Sequence, residues 1–247
     1  MTKEELLDQF VTLARNAAGD NLESVVLYGS TVRGDAQAPY SDLNLLCIVR
    51  SAERPELDKI AAVVHWWTQG QGQRAPLIFA AEELRRSADV FAIEMLDMQR
   101  AHRVLYGAEI IAAIAVPMNL HRVQVEHELR TLIQKLRQHY LHGPSDDAVL
   151  RTVLAKSFSS VVTLLRHTLI AMEHDAPLDR RDLVAHVHKH LGMDVHALQS
   201  VLELRSPGHA KGTIGVTYGK YLETLEKVCE QLDHWMPKKD WQRVAGD

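Results

Sequence analysis

The chain has 247 residues, of which 46% are hydrophobic and 24% charged, with a net charge of -4 and a pI near 6.4. That balance excludes a disordered chain and gives no global electrostatic reason to bind a nucleic-acid polymer. Two cysteines, Cys47 and Cys229, are too few for a disulfide framework or a cysteine metal cluster, so both are expected to be buried thiols in a reducing compartment.

In chain order, Thr2 followed by Glu5 forms a capping-box pattern, and Leu6, Leu7, Phe10, Val11 and Ala14 recur at helical spacing, predicting a helix that ends near Gly19. Ser24 to Tyr28 is a short apolar run bounded by Gly29, the pattern of a buried strand, and Leu43 to Val49 reads as a second. Between them, Gly34 to Tyr40 with Pro39 reads as a loop. Pro55 to Thr68 predicts a helix that the Gln/Gly run Gln69 to Gln73 breaks, and Ala75 to Phe79 predicts a third strand. A further helix is expected from about Ala81 and over Val90 to Arg103, stopping before Val104 to Gly107. Beyond Gly107 the strand signals disappear. Helices are expected over Leu120–Tyr140, Asp147–Met172, Arg181–Leu191, Val195–Leu204 and Tyr218–Trp235.

The N-terminus is acidic and amphipathic, unlike a secretory signal, and Ile111 to Met118 is too short to span a bilayer and contains Pro117. A cytoplasmic protein without a membrane partner is the expectation.

The chemistry concentrates between Val25 and Val49. Gly29 allows a tight turn and a close approach of backbone to an anion, and Ser30 adds a hydroxyl and an N–H suited to phosphate oxygens. Asp42 and Asn44 lie two apart on one strand, so their side chains share a face, where a carboxylate can hold Mg²⁺ against nucleotide phosphates.

The stretch LYGSTVRGDAQAPYSDLNLLCIV resembles the signature of the nucleotidyltransferase (polymerase-β-like) superfamily: apolar strand, Gly-Ser, Arg-Gly, then Ser-Asp-x-Asp on the next strand. Gly29, Ser30, Arg33, Gly34, Ser41 and Asp42 match in order and spacing. A mixed half followed by a helical half is similar in layout to aminoglycoside nucleotidyltransferases. The resemblance implies an α+β chain with a nucleotidyltransferase-like mixed-sheet domain over 1–107, a linker over 108–119 and an all-α helical bundle over 120–247. It implies a nucleoside triphosphate held with Mg²⁺, phosphate contacts from Gly29, Ser30, Arg33 and Ser41, metal contacts from Asp42 and Asn44, and catalysis through Asp42. The family reaction transfers a nucleoside monophosphate to an acceptor hydroxyl. A small-molecule acceptor would bind in a cleft between the halves, and oligomerisation is compatible with all of this.

The family uses three carboxylates, and this chain departs from it at two. Asn44 stands at the second position; the third belongs on the strand RAPLIF, where Leu77 and Ile78 stand and the next acids are Glu82 and Glu83. Asn offers a carbonyl oxygen but neither charge nor a base. The competing expectation is therefore a nucleotide-binding pseudoenzyme with a sensing or regulatory role, unless Glu82, Glu83 or Glu94 supplies an acid. Arg33 could equally order its loop by pairing with Asp35. Elsewhere, His186 and His190 stand at the i,i+4 spacing of zinc ligands, and Arg181 with His186 resembles the motif of HEPN-type ribonucleases. Surface or interhelical histidines are the plainer reading of both. Of the adjacent Trp66 and Trp67, only one can face a core.

Overall fold

In a computed structural model the residues described are 2–29, 31–32, 43–143, 146–204 and 214–235. Ser30, Arg33, Gly34, Asp35, Ser41 and Asp42 lie outside them. The chain divides into two compact units, Met1–Met118 and Asn119–Asp247.

The first unit opens on helix α1 (Lys3–Ala18), started by the predicted capping box: Thr2 Oγ1 accepts from Glu5 N at 3.2 Å and Glu5 Oε2 from Thr2 N at 2.8 Å. Strand β1 (Leu22–Tyr28) pairs antiparallel with β2 (Asn44–Val49), Tyr28 opposite Asn44. Helix α2 (Arg54–His65) runs into a π-turn over Trp66–Gly70. Strand β3 (Leu77–Ala80) pairs parallel with β2, and is followed by α3 (Ala81–Arg86) and α4 (Ala92–Arg100).

The predicted helix over Val90–Arg103 ends earlier than expected, and His102–Gly107 forms a fourth strand, β4, antiparallel to β1. Its apolar core, Val104 to Tyr106, is too short to read as a strand alone; pairing along the free edge of β1 decides it. The sheet order is β3-β2-β1-β4.

Both faces of this sheet are covered, which is why β1 and β2 read as continuous apolar runs rather than alternating ones. One face packs Val25, Leu27, Leu45, Cys47 and Val49 against Leu7 and Phe10 of α1, Ile60 and Val63 of α2, and Trp67. The other packs Val26, Leu46 and Ile48 against Leu84, Ala88, Met95 and Met98, and against Ile111 and Ile114 beyond β4.

The second unit is helical throughout its described residues: α5 (His121–His142), α6 (Asp147–Ala171), α7 (Arg180–Leu191), α8 (His196–Leu204) and α9 (Ile214–His234). By length and composition α6 passes for a membrane span; within the unit it packs against each of the other four helices. The buried Arg166 of α6 donates to the carbonyls of Pro177 and Leu178, both at 3.3 Å, tying the following loop to the helix. The fold is α+β, a small mixed sheet with helices followed by a helical C-terminal part, as the sequence predicts.

Candidate functional site

The site forms at one end of the sheet, where β1 finishes and β2 begins. Gly29 takes φ of 89°, a conformation that side-chain-bearing residues rarely adopt. Val32 N donates back to Gly29 O at 3.1 Å, closing the turn, and Gly29 N donates to Ala101 O at 3.1 Å. The second bond fastens the turn to the C-terminal end of α4.

Asn44 is the first residue of β2 and faces Tyr28 across the ladder. Its side-chain nitrogen lies 3.2 Å from where a Cβ on Gly29 would fall, so amide and turn enclose the same space. By strand alternation Asn44 shares a face with Leu46 and Ile48, the face that α3 and α4 cover.

The parallel pairing of β2 with β3 begins at Leu46 beside Leu77. Leu77 and Ile78, where the resemblance expects the third acid, carry no metal-ligating side chain. Glu82 and Glu83 do not make up the loss. They follow Ala80, which pairs with Val49 at the far end of β2, five residues or about 17 Å from Asn44. Glu82 pairs there with Arg85 and Arg86 at 3.6 and 3.3 Å, and Glu83 accepts from Ala80 N at 3.3 Å.

Glu94 is placed differently. It is exposed on α4, one residue before the buried Met95, on the helix that overlies the Tyr28–Asn44 face. Burial pushes the Tyr28 phenol up from its ordinary value, Arg74 pulls it down and Glu94 pushes it further up, so both charges act on this end of the sheet.

Three supports were not legible as site residues in the sequence. The Gln73 side chain accepts from Leu43 N at 3.1 Å, bracing the chain where it enters β2 beside Asn44. Trp67 is fully buried, 4.8 Å from the Phe10 ring centroid, and its indole donates to Arg74 O at 2.8 Å, fixing the run that carries Gln73 and Arg74. The third is Ala101, whose backbone carbonyl holds Gly29. All act through backbone atoms of distant segments, which no local pattern marks. Trp66 remains only partly buried beside its neighbour.

For magnesium, Asn44 offers a side-chain carbonyl oxygen at this end of the sheet, and the side chains of β3, Leu77–Ala80, offer no donor. Joined to Asp42, which directly precedes Leu43, that chemistry fits a single divalent ion brought in with a triphosphate. It does not fit a closely spaced pair, which needs several shared anionic oxygens. Among the described residues no three His, Cys, Asp or Glu side chains converge as a metal site.

The histidine-rich helix does not form the expected alternatives. His186 Nδ1 lies 2.8 Å from Asp182 O and Nε2 3.6 Å from Asp175, the His190 ring stacks on His174 at 4.5 Å, and among the described residues no three ligands converge there as a metal site. Arg181 and His186 are five residues apart on α7, about 140° around its axis, so they do not meet as a ribonuclease pair.

No family model matches the chain. A Methanocaldococcus jannaschii protein, named provisionally as a protein adenylyltransferase, is 37% identical over 54 residues, 22% of this chain. The chain spans 36% of that relative's length. The crystal structure of spectinomycin adenyltransferase from Enterococcus faecialis, with ATP and spectinomycin, superposes with a TM-score of 0.56 at 15% identity. That superposition covers 91% of this chain and all of the other, and the shared property is the fold. The nucleotidyltransferase resemblance in the sequence is thus matched by a nucleotidyltransferase-like architecture along nearly the whole chain.

Proposed function

We propose that this chain, built on a nucleotidyltransferase-like fold, binds a nucleoside triphosphate at the Gly29–Ser30 turn and transfers its nucleoside monophosphate to a hydroxyl of a small-molecule acceptor. The observation that carries the reading is the closure of the Gly29 turn against Asn44, the second position of the Asp-x-Asp motif, inside that fold. Gly29 lets backbone reach the phosphates, and Ser30, Arg33 and Ser41 donate to them; Asp42 with Asn44 would hold one Mg²⁺. The ion, when bound, would neutralise phosphate charge and polarise the α-phosphorus. The neighbour crystallised with ATP and spectinomycin supports a nucleotide and a hydroxyl-bearing acceptor as the partner classes.

A second reading is favoured by Asn44 together with Leu77 and Ile78, which stand where an acid is expected: a pseudoenzyme that grips a nucleotide and signals its presence. One titration separates the two. ATP and GTP are titrated calorimetrically with and without Mg²⁺, and pyrophosphate release is assayed for the wild type and for Asn44→Asp. Wild-type turnover supports the transferase; binding without turnover, with activity gained by Asn44→Asp, supports the pseudoenzyme. Absence of binding by either nucleotide removes both.

A further inference from the structure

Resting on the nucleotide-binding reading, we infer that His102 is a positioning residue, held as the imidazolium, that keeps the Gly29 turn closed for phosphate, so that nucleotide affinity falls when the ring loses its proton. The residue opens β4, one position after Ala101, whose carbonyl accepts from Gly29 N at 3.1 Å, and it stands opposite Tyr28 on the ladder.

The protonation state follows from what the two ring nitrogens face. Nδ1 lies 2.8 Å from the carbonyl oxygen of Met98, in the last turn of α4, and Nε2 lies 2.8 Å from Glu109 Oε2, beyond the end of β4. A carbonyl oxygen only accepts, and so does an ionised carboxylate, so each nitrogen must carry a proton. Burial pushes the Glu109 carboxyl up, but Ala112 N–H, the His102 ring and Ile111 N–H hold it below its ordinary value; the ionised form is the one that meets the ring. The ring is 12% exposed, which leaves little water to replace a lost partner.

Each bond of the ring fixes a part of the support beneath the turn. Met98 O also accepts from Ala101 N at 3.1 Å, so the ring and the Ala101 peptide close on one oxygen. Glu109 Oε1 accepts from Ala112 N at 3.1 Å, and Gln99 of α4 donates to Ile111 O and Ile114 O at 3.1 and 2.7 Å. Ile111 and Ile114 pack with Met95 and Met98 on the sheet face that carries Val26 and Leu46. A neutral ring keeps one N–H and one bond. Its other nitrogen then sets a lone pair against an oxygen, and either the segment 109–114 or the end of α4 must shift. Either shift acts on Ala101, and through its carbonyl on Gly29 N. The complete clamp is the protonated one, so it is present at lower pH and is lost as pH rises through the titration of the ring. The other charged or titratable groups on the elements packed here are Glu94, Asp97 and Arg100 of α4, Glu4 of α1 bound to Arg103 of β4 at 2.9 Å, and the Tyr28 phenol of β1.

Two measurements on the full chain test this. Ring ¹⁵N shifts of the histidines, with His102→Asn for assignment, are expected to show both nitrogens of His102 protonated at about pH 7; a neutral tautomer there overturns the inference. Affinity for ATP with Mg²⁺ is then measured by calorimetry from about pH 6 to about pH 9. The His102→Asn profile, in which the shorter amide can still donate to Met98 O, supplies the titration of ATP itself. Relative to it, wild-type affinity is expected to fall by about 3–10-fold across the range, the worth of one hydrogen bond, in step with the loss of the ring proton. Glu109→Gln is expected to move both events to lower pH together, because the ring loses its anionic partner. A shift of the ring alone, or parallel ATP profiles in wild type and His102→Asn, overturns the positioning role even where the ring is an imidazolium. A chain that binds no ATP at any pH sinks the nucleotide reading, and the positioning role with it, while the ring shifts still decide the protonation state.

Discussion

Asn44 and Gly29 show how little room the site has for substitution. Any side chain at Gly29 meets the Asn44 amide and must hold φ of 89°. Gly29→Ala is expected to cost about 1–3 kcal/mol of stability, measured by urea unfolding, and, on the proposed function, to weaken ATP binding in calorimetry by filling the space between the turn and Asn44. Asn44→Asp changes charge rather than shape. It should weaken ATP binding without Mg²⁺, because a second carboxylate repels the phosphates, and enlarge the gain in affinity on adding Mg²⁺. The identities of these two residues were legible in the sequence, and so was the motif around them. Their contact was not, because it depends on the antiparallel register that sets Tyr28 opposite Asn44.

Among the elements, α1, β1, β2 and the five C-terminal helices follow closely from caps and periodicity. The element that escaped the sequence reading, β4, exists through its partner. It ends at Gly107, with φ of 81°, where a Cβ would overlap the Glu23 carbonyl oxygen. Ser24 Oγ donates to Tyr106 O at 3.0 Å just before that crossing. Gly107→Ala is therefore expected to cost on the order of 3 kcal/mol, seen as a lowered urea midpoint, because strain and overlap add where β1 cannot yield. Since β4 begins directly after Ala101, loosening it should also disturb the bond that holds the Gly29 turn. Helix α4 was legible as a helix; that its C-terminal end is fastened to the Gly29 turn came only from the tertiary structure.

At the scale of the whole molecule, the chain divides into two compact units, and the two cysteines divide between them: Cys47 in β2 and Cys229 in α9. Burial pushes the Cys47 thiol up to about 12 and raises that of Cys229. For Cys47 the folded value exceeds the unfolded one, so its contribution to stability is complete below about pH 9 and is lost as pH rises towards 12. Each thiol is thus a reporter sealed inside one unit. At pH 8 the native chain should resist a thiol reagent, and each cysteine should label at the rate at which its own unit opens. Mass spectrometry of the two labelled peptides during a denaturant titration would then follow both units in one sample. Adding ATP should slow labelling of Cys47, which shares β2 with Asn44, and leave Cys229 at its own pace if the nucleotide grips the first unit alone. The pair of cysteines that the composition marked only as buried thiols becomes a built-in, two-channel gauge of where a ligand holds the protein shut.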